Sequence, residues 1–467
     1  MRKYILKRLL LFVPTLLLVS LLVFGLSKAV PGDPAERGGW GLDGDSFNEE
    51  AYQRAAIKLG LDKPIFYFSL SSTAFPDTLH RILRKSHRDN LKQLINRHGN
   101  WPEIQQYYYN LSQLDKAVQT IPDSLHNDNF IEIRRSLSQL FIQHKKEEVN
   151  RLLNVLSENI SSTDSDLRNL LVQPIKKTQS SFKKILKTET IWKLYTPDFK
   201  WRGFDNQYQN WISSFLTGNF GVSYLDKRPV FTKMGEAMFW TLIMNLSSLF
   251  IVFSISIPLG VYLASKKDRG IDRTMSFVLF ALYSLPVFWI ATLLLVFFTT
   301  AEYSSWMDIF PGPGLGELRR SAPFWDRFWE RSSHLILPVF CLSFGATAFV
   351  TRQIRGSMIE VLDQDFVRTA RAKGLGEKSV LWKHAFRNAL FPLISLMAMT
   401  IPGLLAGSVI VEFIFAIPGM GRLMFNSILE QDWPFVYTVL MLTALVTILS
   451  NLLGDLCYAV ADPRVKY

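Results

Sequence analysis

Two cysteines in 467 residues, Cys341 and Cys457, cannot build a disulfide framework or a thiolate metal site. Both fall inside long apolar runs, so they say nothing about redox compartment. A phosphate-cradling loop is also missing: Gly374-Leu-Gly-Glu-Lys-Ser379 has the letters of a Walker A motif without its spacing. No Ser/His/Asp constellation and no metal-ligand spacing occurs, so the expectation is no catalytic residue, no metal and no enzyme. His80, His87, His98, His126 and His144 lack such spacing and read as solvated surface. Glycine is almost absent between residues 65 and 207.

Apolar residues are abundant instead, at 48% with 13% aromatics, and they are clustered. Leu9–Leu26, Ala237–Ala264, Thr274–Ala301, Leu335–Thr351, Ala389–Val411 and Trp433–Gly454 contain no charge. Each is about long enough to cross a ~30 Å hydrocarbon core, the Leu335 run being the shortest. Six such runs predict a polytopic membrane protein. The first is too long for most signal peptides and lacks an A-x-A-like site, so it reads as a retained span. Pro258 and Pro286 lie inside the second and third runs, where membrane helices tolerate proline.

The net charge of +12 is explained by where it sits. Arg2, Lys3, Lys7 and Arg8 precede the first run, and Lys266–Arg273, Arg352–Arg387 and the tail with Arg464 and Lys466 are each net positive. With six spans these segments share one side, which the positive-inside rule makes cytoplasmic, together with both termini. The charge sets topology and gives no case for nucleic acid.

The resulting division is a first transmembrane helix at 1–30 and an irregular Gly/Pro/Asp-rich external segment at 31–64. An inserted helical external domain follows at 65–207, then a core with five more spans at 208–467. In the insert, Phe130, Ile133, Leu137 and Leu140 lie three or four apart, as do Val149, Leu152, Leu156 and Ile160. Leu167, Leu170, Leu171, Ile175, Phe182, Ile185 and Leu186 continue the spacing, which predicts a bundle of three to five helices. Breaks fall at Gly99–Pro102, Ile121–Ser124 and Ser161–Asp164. Trp306, Trp325 and Trp329 in the loop 302–333 suit an interfacial belt. Asp455 and Glu412, acids near span ends, are given structural roles within reach of water or a basic partner.

Between the fourth and fifth runs, residues 356–388 form a polar, basic island. Asp365 is placed to cap a short helix, Phe366–Lys373, and Gly374 to end it in a left-handed cap. Helical spacing restarts at Glu377. Two short helices with a glycine break make a docking knob; an ordinary charged loop is the plainer alternative.

The chain resembles the B-type permease subunit of the oligopeptide/dipeptide branch of ATP-binding-cassette importers. The stretches that carry the resemblance begin with Tyr4-Ile-Leu-Lys-Arg-Leu-Leu10, Pro14-Thr15, Pro31-Gly-Asp-Pro34 and Leu59-Gly-Leu-Asp-Lys-Pro64. Gly218-Asn-Phe-Gly221, Ile257-Pro-Leu-Gly260, Asp365–Gly374, Arg387-Asn-Ala-Leu390, Pro418-Gly-Met-Gly-Arg422 and Asp462-Pro-Arg464 follow in order. The resemblance covers 1–64 and 208–467 and leaves the insert out. It implies an all-α membrane protein, six transmembrane helices in the type I importer permease fold, in the inner (cytoplasmic) membrane. It also implies that the island is an EAA loop coupled to the ATPase through Asp365, Arg368, Thr369, Ala370, Arg371 and Gly374. Only Ala370 and Gly374 match the general consensus; the Arg-Thr variant is typical of the peptide branch. Pro392 comes later than the proline that ends the general consensus.

On that resemblance the partners are a second permease subunit, two cytoplasmic ATPase subunits that bind the ATP and Mg, an external binding protein and membrane lipid. No cofactor is expected in this chain. The substrate is a short peptide, with nickel chelates, glutathione and oligosaccharides as alternatives. Pro418, Gly419 and Gly421 are expected to form an outer gate, against a plain helix-to-helix turn. An ion-coupled transporter is the rival class, but neither inverted repeats nor midplane ionisable residues stand out. A membrane sensor lacks any cytoplasmic stretch large enough for an output domain. The insert, net +6 from Asp62 to Asp205, reads as a docking or capping domain for the delivery partner.

Overall fold

The computed structural model describes residues 2–29, 32–36, 48–121, 128–161, 165–300, 305–318 and 321–461. His126, Pro31, Asp462-Pro-Arg464 and most of the breaks at Ile121–Ser124 and Ser161–Asp164 lie outside them. The chain forms two compact units, Met1–Val30 with Gly218–Tyr467, and the inserted Pro31–Thr217. Helix α1 (Arg2–Ala29) opens the first.

In the inserted unit, α2 (Glu49–Lys58) starts where the Asn48 side chain accepts the Ala51 N–H at 2.9 Å, with Glu49 and Glu50 in its first turn. The Tyr52 hydroxyl lies buried, 2.6 Å from the Asp33 carboxylate and 3.1 Å from the Leu83 carbonyl. The segment 31–64 is therefore not irregular throughout: a helix capped by Asn48, with Tyr52 and Ala56 buried, lies within it. A departure from the all-helical expectation is a two-stranded antiparallel sheet, β1 (Phe68–Ser72) and β2 (Pro197–Trp201). Each strand is five residues long and finds its partner more than a hundred residues away, so neither shows up as a hairpin in the sequence.

Between the strands run α3 (Lys85–His98), α4 (Trp101–Gln119), α5 (Asp128–Leu140), α6 (Lys146–Ser161) and α7 (Ser165–Lys187). Gly99 ends α3 at φ +70°, and a Cβ there would stand 2.4 Å from the Thr190 carbonyl oxygen. The periodic residues Ile133, Leu137, Leu140, Val149, Leu156, Leu171, Phe182 and Ile185 form one buried core. Leu170 is exposed, so the stripe on α7 is narrower than its spacing suggested. His87 and His98 are not solvated surface but buried. His87 stacks on Phe141 with ring centroids 4.3 Å apart, and the His98 Nδ1 lies 2.7 Å from Glu189. Helix α8 (Gln207–Leu216) closes the unit, its N-terminus capped by the Asn206 side chain on the Gln209 N–H.

The first unit continues with α9 (Val230–Ser265), α10 (Gly270–Ser284), α11 (Val287–Phe298) and α12 (Phe324–Leu362). Five helices of the described residues are long and apolar enough to cross a membrane, or six spans if α10 and α11, bent by 87°, count as one. The third apolar run is therefore not one straight helix. Pro286 forces Leu285 into extended backbone (φ −76°, ψ 127°) and the helix breaks there. Pro258 stays inside an unbroken α9. Gly260 lets α9 and α12 touch: a Cβ there would stand 2.8 Å from the Ile354 Cβ. The fifth run is interrupted at Gly407, whose φ is +77°, between α14 (Phe391–Ala406) and α15 (Val409–Ile414). Before it comes the short α13 (Asp365–Ala372), and after it α16 (Met420–Leu429) and α17 (Trp433–Ala461). First and last spans pack together, and Arg8 meets Asp455 at 2.9 Å.

Candidate coupling loop and outer turn

Helix α12 runs on to Leu362, so the first residues of the polar island, 356–362, continue that helix. Gln364, in extended backbone, is the residue before α13, and no side chain caps the helix. Asp365 is thus the first helical residue and not its cap; its exposed carboxylate still faces the positive end of the helix dipole. Gly374 has φ +79°. Its N–H reaches the Arg371 carbonyl at 2.9 Å and the Leu375 N–H reaches that of Ala370 at 3.4 Å, the pair of bonds that closes a left-handed helix end. Across this turn the Arg371 guanidinium donates to both Glu377 carboxylate oxygens, at 2.8 and 3.3 Å.

The second half of the island is an α-turn at Glu377–Ser379, a π-helix at Val380–Ala385 and an α-turn at Phe386–Ala389. Val367, Ala370, Val380, Ala385 and Ala389 are buried against Val261, Ile354 and Met358 of α9 and α12. Asp365, Phe366, Arg368, Thr369, Arg371, Lys373, Leu375 and Trp382 point outward. The six predicted coupling residues therefore split by role. Ala370 joins the knob to the long helices, Gly374 shapes it, and Asp365, Arg368, Thr369 and Arg371 form its accessible face.

The turn after α15 is built around Glu412, which is fully buried. Its carboxylate accepts from the Thr241 hydroxyl at 2.9 Å, the Arg422 N–H at 2.9 Å and the Ser408 N–H at 3.3 Å. Thr241 in turn accepts the Met420 N–H at 2.8 Å. Ala416 takes φ +54°, and the Arg422 guanidinium donates to its carbonyl at 2.6 Å. A Cβ at Gly419 would fall 2.4 Å from the Glu412 Cδ, and one at Gly421 would fall 2.6 Å from the Val409 nitrogen. Gly419 and Gly421 thus have a packing reason inside this subunit, and of the three predicted gate residues only Pro418 is exposed. Glu412 does not reach water; it is the acceptor that joins α9, the Gly407 break and the start of α16.

Two further networks escape a sequence reading because their members look like ordinary loop charges. Arg355 on α12 donates to both oxygens of Asp272 on α10, at 2.6 and 2.7 Å, and Asp272 also accepts the Asp268 N–H at 3.0 Å. Asp432, fully buried before α17, accepts from Ser223 at 2.5 Å, the Tyr224 N–H at 2.8 Å and Lys233 at 3.3 Å. Burial, and then the Asp432 charge, push the Tyr224 phenol up to about 12.

Residues 256–467 match the family described as "Binding-protein-dependent transport system inner membrane component". The oligopeptide transport system permease protein AppB of Bacillus subtilis is 37% identical over 262 residues, 56% of this chain and 80% of the relative. The probable peptide ABC transporter permease protein y4tP of Sinorhizobium fredii is 34% identical, and the oligopeptide transport system permease protein OppB of Mycobacterium tuberculosis H37Rv is 35% identical. Each alignment spans 261 residues, 56% of this chain and 80% of the relative. An inward-facing structure of the MetNI methionine ABC transporter aligns at 19% identity and a TM-score of 0.38, over 49% of this chain and 96% of that one. With several apolar helices among the described residues and four-fifths of AppB aligned at more than a third identity, the chain belongs to the binding-protein-dependent inner-membrane permease family, as a multi-pass transport component and not an enzyme.

Proposed function

We propose that this chain is one permease subunit of an ATP-driven importer for short peptides. It has the six-span type I arrangement, both termini cytoplasmic, and an external helical insert between spans one and two. A second permease subunit completes the pathway, two ATPase subunits bind ATP and Mg, and an external binding protein delivers the peptide. The observation that carries this reading is the island. Its small residues, Ala370, Ala385 and Ala389, are buried on α9 and α12, while Phe366, Arg368, Lys373, Leu375 and Trp382 are free to meet another protein. A push on that exposed face is transmitted through a rigid contact to two long helices, and two discrete packings of those helices give alternating access. The turn at Pro418, Gly419 and Gly421 acts as the outer gate, with Pro418 as the member that reaches the partner subunit or the pathway.

The test is reconstitution of the chain with its ATPases, second permease and binding protein in liposomes. ATP-dependent uptake of labelled di- to pentapeptides and peptide-stimulated ATP hydrolysis are expected. Uptake of a nickel chelate, glutathione or an oligosaccharide without peptide uptake would move the substrate class. Uptake driven by an ion gradient without ATP would overturn the reading.

A further inference from the structure

The sheet of the inserted unit is inside out. Its register sets Phe68 opposite Trp201 and Leu70 opposite Phe199, so these four share one face, and Leu70, Phe199 and Trp201 are 76%, 64% and 61% exposed. The other face carries Ser69, Ser71, Asp198 and Lys200, and it is the one partly covered; Lys200 reaches the Phe75 carbonyl at 3.0 Å and Asp77 at 3.1 Å. A two-stranded sheet facing water would alternate the other way. The apolar face is also continuous. Phe68 stacks on Phe199 at 5.7 Å, Tyr67 on Trp201 at 6.4 Å, and Phe204, exposed as well, meets Trp201 edge-on at 5.9 Å. Tyr208 on α8 meets Tyr67 at 5.8 Å, which carries the aromatic line into that helix.

We infer that this face of β1 and β2 lies in the headgroup region of the bilayer that the flanking helices cross. Two observations select lipid over a soluble partner. The first is chemistry: Trp, Phe and Tyr beside a cation, with Lys193 5.8 Å over the Trp192 ring in the turn before β2, are what an interface between hydrocarbon and water favours. The second is tether length. The unit begins two residues after α1 ends at Ala29. It ends at Thr217, and Val222 is already bridged to Pro229, the residue before α9. The six steps from Leu216 to Val222 span at most about 3.5 Å each, so no more than about 21 Å of chain links the end of α8 to that bridge. Both ends of the unit are thus tethered by short segments to membrane-spanning helices; β2 and α8 are the last elements before the C-terminal tether, and β1 is paired to β2.

The test uses the full chain in lipid nanodiscs, with Cys341 and Cys457 replaced by alanine and an environment-sensitive fluorophore on Leu70→Cys, Phe199→Cys or, as a control on the exposed part of α5, Arg135→Cys. All three positions are exposed, so labelling leaves the fold intact. The expected result is a blue-shifted emission at 70 and 199 that nanodiscs with headgroup-region spin-labelled lipid quench, and neither effect at 135. A blue shift without lipid quenching means that protein, a second copy or another subunit, covers the face. No shift means that water does. Either result overturns the inference.

Discussion

The Thr241 hydroxyl stands between the Glu412 carboxylate and the Met420 amide, giving its proton to the first at 2.9 Å and accepting from the second at 2.8 Å. One side chain of α9 thereby serves both strokes of the turn that follows the fifth apolar run. Thr241→Val keeps the shape and removes both bonds, leaving a buried amide and a carboxylate position unmatched. A loss of about 1–3 kcal/mol in stability is expected, seen as a lower melting midpoint of the detergent-solubilised protein. Gly419→Ala should be worse, since its Cβ would collide with Glu412. A wild-type midpoint for both variants would show that the turn relaxes freely.

Nothing stands within 4 Å of a Cβ built on Gly374, so its φ of +79° is the only reason for glycine there. Gly374→Val should abolish uptake and substrate-stimulated ATP hydrolysis while the chain still inserts. Gly374→Asn, which tolerates left-handed backbone, should recover much of both. Equal behaviour of the valine and asparagine variants would mean that the backbone shape of the knob is irrelevant to coupling.

Asp272 is buried and its charge is matched by Arg355, which is about a quarter exposed. Arg355→Met should destabilise by about 2–3 kcal/mol, less than for a fully buried pair because water reaches the arginine. Adding Asp272→Asn should restore part of that loss, since the uncompensated charge goes with it. Thermal melting of the single and double variants gives the coupling directly; additive losses would show that the pair does not act as a unit.

Burial, with help from Arg84, pushes His87 down to about 3. Its folded value lies below the unfolded one, so the stability this neutral ring supports is complete above about pH 6.5 and drains as pH falls towards 3. The slope is at most about 1.4 kcal/mol per pH unit. His80 and His144 are shifted the same way, also by burial first, and add to it. The protection factors of α3 and α5 against hydrogen exchange, measured against the intrinsic rate at each pH, should therefore fall between pH 6.5 and 4.5 in the full chain. His87→Phe, which keeps the stack on Phe141, should flatten that dependence; an unchanged pH profile would place the charge elsewhere.

Most of the membrane unit and the bundle was legible because apolar periodicity is a local signal. Val149, Leu156, Phe182 and Ile185 announce their helices, and Gly374 announces its turn. What escaped is nonlocal. The bond from Arg355 to Asp272 and that from Thr241 to Glu412 join residues that look, one at a time, like loop charges or tolerated polar groups. The strands β1 and β2 are invisible apart, and His87 and His98 look like solvated residues until Phe141 and Glu189 are brought beside them. Pro286 was seen, but the size of the bend depends on packing that no window of sequence contains.

The antiparallel register has a consequence for how such an insert is acquired and exchanged. Ser72 faces Pro197 across the ladder, so the chain enters and leaves the helical bundle at neighbouring points, about 5 Å apart between paired Cα atoms. Residues 73–196 can then be swapped for a two-residue turn that turns the sheet into a simple hairpin, at the loss of the Leu83 carbonyl that Tyr52 of α2 bonds. Such a module can lengthen, shrink or be replaced without moving the two points at which the sheet hands the chain on. The hairpin chain also separates two contributions that the intact protein joins, keeping the aromatic face and discarding the helical bundle between its strands.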